Sequence, residues 1–222
     1  MRMTAFALVA LLAAPAAADE TDRPLPPPAF DATIAGGPSE TAVLAGGCFW
    51  GMQGVFQHVK GVKQVLSGYS GGGSGSAHYY VVGTGTTGHA ESVQIVFDPH
   101  VVSYGQILQV YFSVMDPTTL DYQGPDYGSQ YRSEIFAADD AQRRTAEAYI
   151  AQLSKAHAFS APIVTRVGGL HGFYPAEGYH QDYLIHHPDQ PYIVINDLPK
   201  IDKLHRLYPQ LYHDRPVTVA GN

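Results

Sequence analysis

Short apolar segments with a strand-like pattern alternate along this chain with segments whose apolar residues recur every three or four positions. A helical pattern begins at Phe49, and Ser103 and Asp139 stand where each can cap a further helix, the last over about residues 140–157. Helices that alternate with strands in this way pack against a mixed sheet, which defines an α/β or an α+β fold. We predict the strands near residues 41–45, 62–72, 90–99, 129–137 and 161–167.

The first 18 residues combine an early arginine, an apolar run from Ala5 to Ala14 and three alanines at positions 16–18. This pattern is typical of a secretory signal peptide that is cleaved near Ala18. The run is shorter than the roughly 20 residues that a membrane-spanning helix needs, and no later segment is continuously apolar over that length. We therefore expect an exported, periplasmic protein without a membrane span; an uncleaved anchoring segment is the alternative.

The rest of the chain predicts one folded domain. Residues 19–40 are rich in proline, acidic and small residues, which predicts a flexible or wrapped arm with no core face of its own. The domain is expected over residues 41–214, with a tail at residues 215–222, and a hydrophobic content of 45% is sufficient for one core. The formal net charge of −7 argues against a surface for nucleic acid or anionic membranes.

The segment GGCFWG, residues 46–51, holds the only cysteine among the 222 residues. One cysteine excludes an internal disulfide, and a free thiol in an oxidising compartment is a hazard unless it is buried or used. Cys48 lies where a predicted strand ends in a glycine turn and a helix begins, so that unpaired N–H groups and the helix dipole face its sulfur. Both effects favour a thiolate, which predicts a nucleophile at neutral pH. The alternative is that Cys48 is a small buried hydrophobic residue.

Five segments together resemble one known family, the peptide-methionine (S)-S-oxide reductases, or A-type methionine sulfoxide reductases, over about residues 41–197. The segments are GGCFWG (46–51), GYSGG (68–72), GTTGHAESVQIVFDP (85–99), DPTTLDYQGPDYGSQYRSEIF (116–136) and FYPAEGYHQDYL (173–184). The resemblance implies an α+β fold, a two-layer α/β sandwich with a ferredoxin-like core. We expect a mixed sheet with packed helices, followed by a long irregular C-terminal segment.

The resemblance also implies a reaction. The thiolate of Cys48 would attack the sulfur of methionine sulfoxide, and the products would be methionine and a sulfenic acid on Cys48. Glu91 would protonate the departing oxygen. An acid can do this at neutral pH when burial raises its pKa. Without the resemblance, Glu91 could equally be a solvent-exposed residue at a strand edge.

Three further residues match positions of the family's site. Tyr79 and Tyr131 match two hydroxyl donors to the sulfoxide oxygen, with the neighbouring Tyr80 as a competitor for the first role. Asp126 matches an aspartate that supports the acid and its water network. From the residues alone, most tyrosines are packing residues and an aspartate in a Gly/Pro-rich stretch forms a turn.

Phe49 and Trp50 fit a pocket for the S-methyl group of the substrate. An aromatic wall on one side of the sulfur and hydrogen-bond donors on the other would distinguish the two epimers, and the family selects the S epimer. Phe49 could instead be the first core residue of its helix. Trp50 lies off the apolar stripe of that helix, which makes it the stronger pocket residue.

Recycling must use an outside thiol, because many family members carry further cysteines near the C-terminus and this chain has none. The expected reductant is a thioredoxin-like domain, a glutaredoxin-like protein or a small thiol. No cofactor is expected. The expected substrates are oxidised methionine-containing proteins or peptides, and the expected role is repair of exported proteins.

Other functions compete with this interpretation. Residues 171–189 hold four histidines together with Glu177 and Asp182, but the spacing of a metal site is absent, so we expect no metal and interpret His180 as a structural hydrogen-bond partner. A cysteine hydrolase would pair Cys48 with a histidine base, for which His89 is the nearest choice. An exported module that binds methionine-rich peptides without turnover is the third possibility.

Overall fold

The computed structural model describes residues 23–32 and 37–219; the predicted signal peptide lies outside them. The strands in this part of the chain are β1 (Glu40–Gly46), β2 (Val62–Ser70), β3 (Ala90–Phe97), β4 (Tyr122–Gln123), β5 (Asp126–Tyr127), β6 (Ser133–Ala137), β7 (Arg166–Gly169) and β8 (Phe173–Pro175). The α-helices are α1 (Phe49–Gln57), α2 (Tyr79–Val82), α3 (Tyr104–Val114), α4 (Asp140–Lys155), α5 (Tyr183–His186) and α6 (Leu198–Leu207). A π-helical turn, Ile193–Asp197, leads directly into α6.

One mixed sheet organises the molecule, with the strand order β7-β6-β1-β3-β2-β8. All neighbouring strands are antiparallel except β6 and β7, which are parallel. The four inner strands have the order β6-β1-β3-β2, with α1 between β1 and β2 and α3 between β3 and β6 along the chain. This βαββαβ arrangement is ferredoxin-like. The predicted α+β fold is confirmed.

The helix starts follow from local side-chain chemistry. Ser103 caps α3 in a capping box, in which its side chain accepts from the Gln106 N–H while the Gln106 side chain accepts from the Ser103 N–H. The Asp139 side chain accepts from the Gln142 N–H and caps α4. Both predicted caps are confirmed. The apolar faces of these helices pack with the central strands into one core, in which Ile95, Ile107 and many other side chains are fully buried.

Two strand predictions are wrong in extent. The segment predicted as a strand at residues 161–167 becomes a strand only at Arg166, because its backbone bonds elsewhere: the Val164 N–H donates to the Pro117 carbonyl. Residues 129–131 form a 3₁₀ turn, and the sheet pairing of that segment begins at Ser133.

The described part of the N-terminal arm is packed on the domain, against the prediction that the arm has no core face. Leu25 is buried in the main core, and its N–H donates to the Tyr208 hydroxyl at 2.9 Å. Side chains also bind the carbonyls of the arm, Gln109 that of Leu25 at 2.7 Å and Tyr149 that of Pro26 at 2.9 Å. A proline-rich segment has few N–H donors but keeps all its carbonyl acceptors, which the side chains of α3 and α4 satisfy.

The described part of the predicted tail also contacts the domain. The Val217 N–H donates to the Gln57 carbonyl at the end of α1, and the Val219 N–H donates to a carboxylate oxygen of Asp182. No helix within residues 23–32 and 37–219 is long and apolar enough to cross a membrane.

We expect Leu25→Ala to lower the free energy of unfolding by about 2–3 kcal/mol, because it removes a buried side chain and leaves a cavity. Phe30→Ala is the matched control: Phe30 belongs to the same arm but is 47% exposed, so its loss should change the free energy of unfolding by less than about 0.5 kcal/mol. Urea unfolding measures both. A wild-type value for Leu25→Ala would contradict the packing of the arm.

Candidate active site

Cys48 occupies the N-cap position of α1, directly after a glycine turn that ends β1. Gly47 has a φ of +88°, and a Cβ there would lie 2.6 Å from the Gln123 side chain, so this turn requires glycine. The Cys48 side chain is 7% exposed and makes no capping hydrogen bond. The predicted placement at a strand-to-helix turn is therefore confirmed, and the thiol is largely buried.

Glu91 lies beneath the start of the same helix. It is the second residue of β3, pairs with Tyr69 of β2 across the sheet and is 4% exposed. Its Oε2 accepts a hydrogen bond from the Phe49 N–H, the first N–H of α1, at 3.0 Å. The start of one helix therefore brings the thiol and the carboxyl together.

The carboxyl of Glu91 holds its proton at neutral pH. Burial raises its pKa to about 8, against the Phe49 N–H, which favours the charged form; the nearby charges of Asp126 and Asp197 raise this pKa further. The direction of this shift is the one that an acid at this position requires. The alternative of a solvent-exposed strand residue is wrong.

A pocket of about 220 Å³ opens at this point. All seven predicted residues line it, together with one that the sequence analysis missed: Cys48, Phe49, Trp50, Tyr79, Glu91, Asp126, Tyr131 and Tyr192. Tyr80, the competitor of Tyr79, is 85% exposed, whereas Tyr79 lies in the pocket wall.

Tyr79 and Tyr131 keep their hydroxyl protons at neutral pH, so both can donate a hydrogen bond. Burial, then the charge of Glu91, raises the pKa of Tyr79 to about 12. The same two causes raise the pKa of Tyr131 even further above its ordinary value. Tyr79 is held by Glu177, which accepts from the Tyr79 N–H at 3.0 Å and from the Tyr69 hydroxyl at 2.8 Å.

Arg132 fixes Tyr131 relative to Glu91. Its buried guanidinium donates to the carbonyls of Gly88 and His89, just before Glu91, and to the carbonyl of Ser129, in the turn that ends at Tyr131. It also pairs with Glu134 at 2.7 Å. The loop before β3 and the turn before β6 are thus held together by one cation.

Asp126 lies in the short β4–β5 hairpin, where Gly124 has a φ of +56°. Its carboxylate accepts a short hydrogen bond from the hydroxyl of Tyr192, which precedes the π-helical turn. Burial and nearby negative charges, that of the Cys48 thiolate first among them, raise the pKa of Tyr192. Tyr192 was missed because its segment shows no clear periodicity and the chain contains 15 tyrosines.

Aromatic side chains form another wall of the pocket. Trp50 stacks on Tyr183 with ring centroids 3.8 Å apart and planes 8° apart, and its indole N–H donates to Nδ1 of His180 at 3.1 Å. The predicted structural role of His180 is confirmed. Phe49 is 1% exposed and packs on the rings of Tyr69 and His180, so it belongs to the core and to the pocket wall at once.

The prediction that Cys48 is a thiolate at neutral pH is wrong. Burial raises the pKa of Cys48 well above its ordinary value, and the negative charges of Glu91 and Asp197 raise it further. The ammonium of Lys200 and the backbone N–H of Trp50 lower the pKa of Cys48, but by less. The helix start does favour the thiolate, as predicted, yet burial in the folded chain outweighs it. At neutral pH the pocket therefore holds a thiol beside a protonated carboxyl.

His89 does not line the pocket. Its Nδ1 accepts from the Gly72 N–H at 3.2 Å, and its Nε2 donates to the Gly73 carbonyl at 3.0 Å. Both ring nitrogens are thus occupied in holding the glycine loop, which argues against the hydrolase hypothesis. Within the described ranges no group of three or more His, Cys, Asp or Glu side chains is placed to hold a metal ion.

A thiol beside a protonated acid and two hydroxyl donors suits a reaction in which sulfur attacks and an oxygen atom is protonated. The family model for peptide methionine sulfoxide reductase matches residues 40–211. The chain therefore belongs to the peptide methionine sulfoxide reductase family and is an oxidoreductase, as its five segments predicted.

Individual relatives agree with this. Peptide methionine sulfoxide reductase MsrA 2 of Mesorhizobium japonicum is 60% identical over 184 residues, which cover 82% of this chain and 94% of that protein. The protein of the same name from Synechocystis sp. is 50% identical over 171 residues, 77% of this chain and 80% of that protein.

Solved structures show the same fold. Mxr1 of Saccharomyces cerevisiae in reduced form matches with a TM-score of 0.62 at 31% identity, over 72% of this chain and 93% of that chain. Methionine sulfoxide reductase A of Corynebacterium diphtheriae matches with a TM-score of 0.60 at 31% identity, over 75% of this chain and 84% of that chain.

We expect Glu91→Gln to lower the pKa of Cys48, because above about pH 8, where the thiolate forms, Glu91 carries a negative charge that opposes it. Iodoacetamide reacts with the thiolate only. The rate of alkylation increases with pH as the thiolate forms, and this increase should occur at lower pH in the variant than in the wild type. Glu147→Gln, which removes a carboxylate from the exposed face of α4, should leave the profile unchanged. Superposable profiles for Glu91→Gln and the wild type would show that the two groups are not coupled.

Proposed function

We propose that this protein reduces the S epimer of methionine sulfoxide, in proteins and peptides, to methionine with electrons from an external thiol. The observation that carries the proposal is the buried carboxyl of Glu91, which is hydrogen-bonded to the Phe49 N–H and lines the same pocket as the thiol of Cys48. Reduction of a sulfoxide needs a nucleophile for the sulfur and a proton for the oxygen. Cys48 and Glu91 supply one each from the same helix start.

The first half of the reaction transfers one oxygen atom. The sulfur of Cys48 attacks the sulfoxide sulfur while Glu91 protonates the oxygen, to which Tyr79 and Tyr131 donate hydrogen bonds. The S–O bond of the substrate breaks and the oxygen forms a new bond to the sulfur of Cys48. The bond between the two sulfurs breaks with its electron pair on the methionine sulfur, so that the thioether leaves and Cys48 becomes a sulfenic acid. The proton of the thiol replaces the one that Glu91 has given, so the step consumes no net proton. Methionine sulfoxide is reduced by two electrons and Cys48 is oxidised by two.

The pocket walls support selection of one epimer. The substrate sulfur is stereogenic and carries a methyl group, an oxygen and the rest of the side chain. The rings of Phe49 and Trp50 suit the methyl group, and the hydroxyls of Tyr79 and Tyr131 suit the oxygen. Trp50 is fixed by Tyr183 and His180. The other epimer, in which the methyl group and the oxygen exchange places, would therefore have its oxygen against apolar rings without a hydrogen bond.

The second half of the reaction requires two thiols from outside, since Cys48 is the only cysteine of the chain. A first thiol attacks the sulfenic acid and gives a mixed disulfide and water. A second thiol attacks the mixed disulfide, releases Cys48 and carries away the oxidised reductant as a disulfide. A thioredoxin-like domain, a glutaredoxin-like protein or a small thiol satisfies this stoichiometry.

We further propose that the enzyme repairs oxidised proteins in the periplasm. The support is the signal-peptide pattern of residues 1–18. The intact mass and location of the protein in the cells that make it test this: a periplasmic protein that begins at residue 19 is expected. A cytoplasmic protein that retains residues 1–18 would overturn the proposed location without affecting the chemistry.

A single-turnover reaction tests the activity. Protein that has been reduced beforehand is mixed with each epimer of a methionine sulfoxide peptide without external thiol, and products and intact mass are measured. We expect about one methionine per protein from the S epimer only, with one oxygen added at Cys48, and no product from Cys48→Ser. Binding without turnover would favour the peptide-binding module, and an active Cys48→Ser would refute the mechanism.

Tyr79→Phe should slow single turnover roughly 100-fold, because it removes a donor to the oxygen on which charge develops. Tyr80→Phe is the matched control: it removes the same hydroxyl from the adjacent residue, which points to solvent, and should react at the wild-type rate. Equal rates for Tyr79→Phe and Tyr80→Phe would exclude Tyr79 as a donor to the substrate.

A further inference from the structure

An ion pair that has no part in these steps lies against the first turn of α1. Asp197 ends the π-helical turn and is fully buried, and its Oδ1 accepts from the ammonium of Lys200 at 2.9 Å. The other carboxylate oxygen, Oδ2, is buried without a hydrogen-bond partner in the part of the chain that the structure describes. A buried carboxylate that is only half satisfied is costly, so this position needs an explanation.

The pair reaches α1 through Gly51. A Cβ at Gly51 would lie 2.1 Å from Oδ1 of Asp197 and 2.9 Å from the ammonium nitrogen of Lys200. Any other residue would therefore push the pair away from the helix. The sulfoxide chemistry does not use Gly51, but the approach of this ion pair requires it. Gly51 stands three residues after Cys48, in the same first turn.

The charges that face Cys48 come from several elements. Glu91 on β3 and Asp197 before α6 are acidic, and their negative charges oppose a thiolate. Asp126 on β5 and the hydroxyls of the pocket tyrosines also face this space. Lys200 on α6 contributes a positive charge that lowers the pKa of Cys48. Its side chain is only 18% exposed, so solvent screens its charge weakly.

We propose that Lys200, held by Asp197 against Gly51, is a positioning residue that stabilises the thiolate of Cys48 during turnover. The role rests on the proposed function, because that function requires the thiolate twice. The thiolate forms when Cys48 attacks the sulfoxide. It forms again when the mixed disulfide is cleaved: the second external thiolate bonds to the sulfur of the reductant, the bond between that sulfur and Cys48 breaks, and its electron pair stays on Cys48. A leaving sulfur with a lower pKa departs faster.

The first test measures the thiolate itself and needs no sulfoxide. In Lys200→Met, the rate of iodoacetamide alkylation against pH should shift to higher pH, with a rate at pH 7 lower by on the order of tenfold. Lys200→Arg, which keeps the charge, should retain most of the wild-type profile. Lys203→Met is the matched control: it removes the same charge from the same helix, one turn farther along, and should leave the profile unchanged.

The same substitution is also made in a second variant, because Lys200→Met alone leaves a buried carboxylate without its cation and the protein could misfold. Asp197→Asn removes that carboxylate. The double variant Asp197→Asn/Lys200→Met should alkylate at higher pH than Asp197→Asn alone. Its profile should also lie nearer to that of the wild type than the profile of Lys200→Met does, since the double variant has lost one charge of each sign. Coincident profiles with and without Lys200 in a folded background would overturn the proposal.

The two proposals fail separately. A wild-type protein that reduces no sulfoxide but shows the alkylation shift would refute the proposed function and keep the role of Lys200. A protein that reduces the S epimer while Lys200→Met alkylates as the wild type does would keep the function and refute the role. If both hold, steady-state turnover with an external dithiol should fall in Lys200→Met and recover in Lys200→Arg.

Discussion

The hydrogen bond from the Phe49 N–H to the buried carboxyl of Glu91 is the contact on which the site depends. It ties the start of α1 to a central strand of the sheet, and it holds the carboxyl in the pocket that Cys48 also lines. The same burial that makes this contact possible raises the pKa of Glu91 to about 8. Burial thus accounts both for the position of the Glu91 carboxyl and for its protonation, and no further interaction is needed to keep the proton on Glu91 at neutral pH.

Burial has the opposite consequence for the nucleophile. The burial that keeps Glu91 protonated also disfavours the thiolate of Cys48, so both groups keep their protons at neutral pH. In the proposed reaction, transfer of the Glu91 proton to a sulfoxide oxygen and loss of the Cys48 proton are then coupled events within one pocket. In the proposed role, the charge of Lys200 beside the first turn of α1 offsets part of the penalty, to which the charge of Asp197 adds, without carrying a proton in the reaction.

The sequence was sufficient for features that depend on local patterns. Cys48 at a strand-to-helix turn follows from two glycines and an apolar stripe, and the caps at Ser103 and Asp139 follow from side-chain chemistry one turn away. The proposed roles of Glu91, Tyr79, Tyr131 and Asp126 came from resemblance to a family, because nothing in their own segments distinguishes them.

The features that the sequence did not predict depend on contacts between distant parts of the chain. Burial in the folded chain raises the pKa of Cys48. Leu25 is held by hydrogen bonds with the side chains of Gln109 and Tyr208. Tyr192 and Asp197 belong to a stretch whose irregular backbone gives no periodic signal, whereas Lys200 lies in the regular helix α6 and comes near Gly51 only in the folded chain.

The central claim is that Glu91 is a protonated acid in the resting enzyme. Infrared difference spectroscopy of the wild type against Glu91→Gln measures this directly, because a protonated carboxyl and a carboxylate absorb at different frequencies. We expect a protonated carboxyl band at pH 7 that belongs to Glu91 and disappears as the pH rises through about 8. A carboxylate band for Glu91 already at pH 6 would exclude Glu91 as the acid, since the buried group would then have no proton to give.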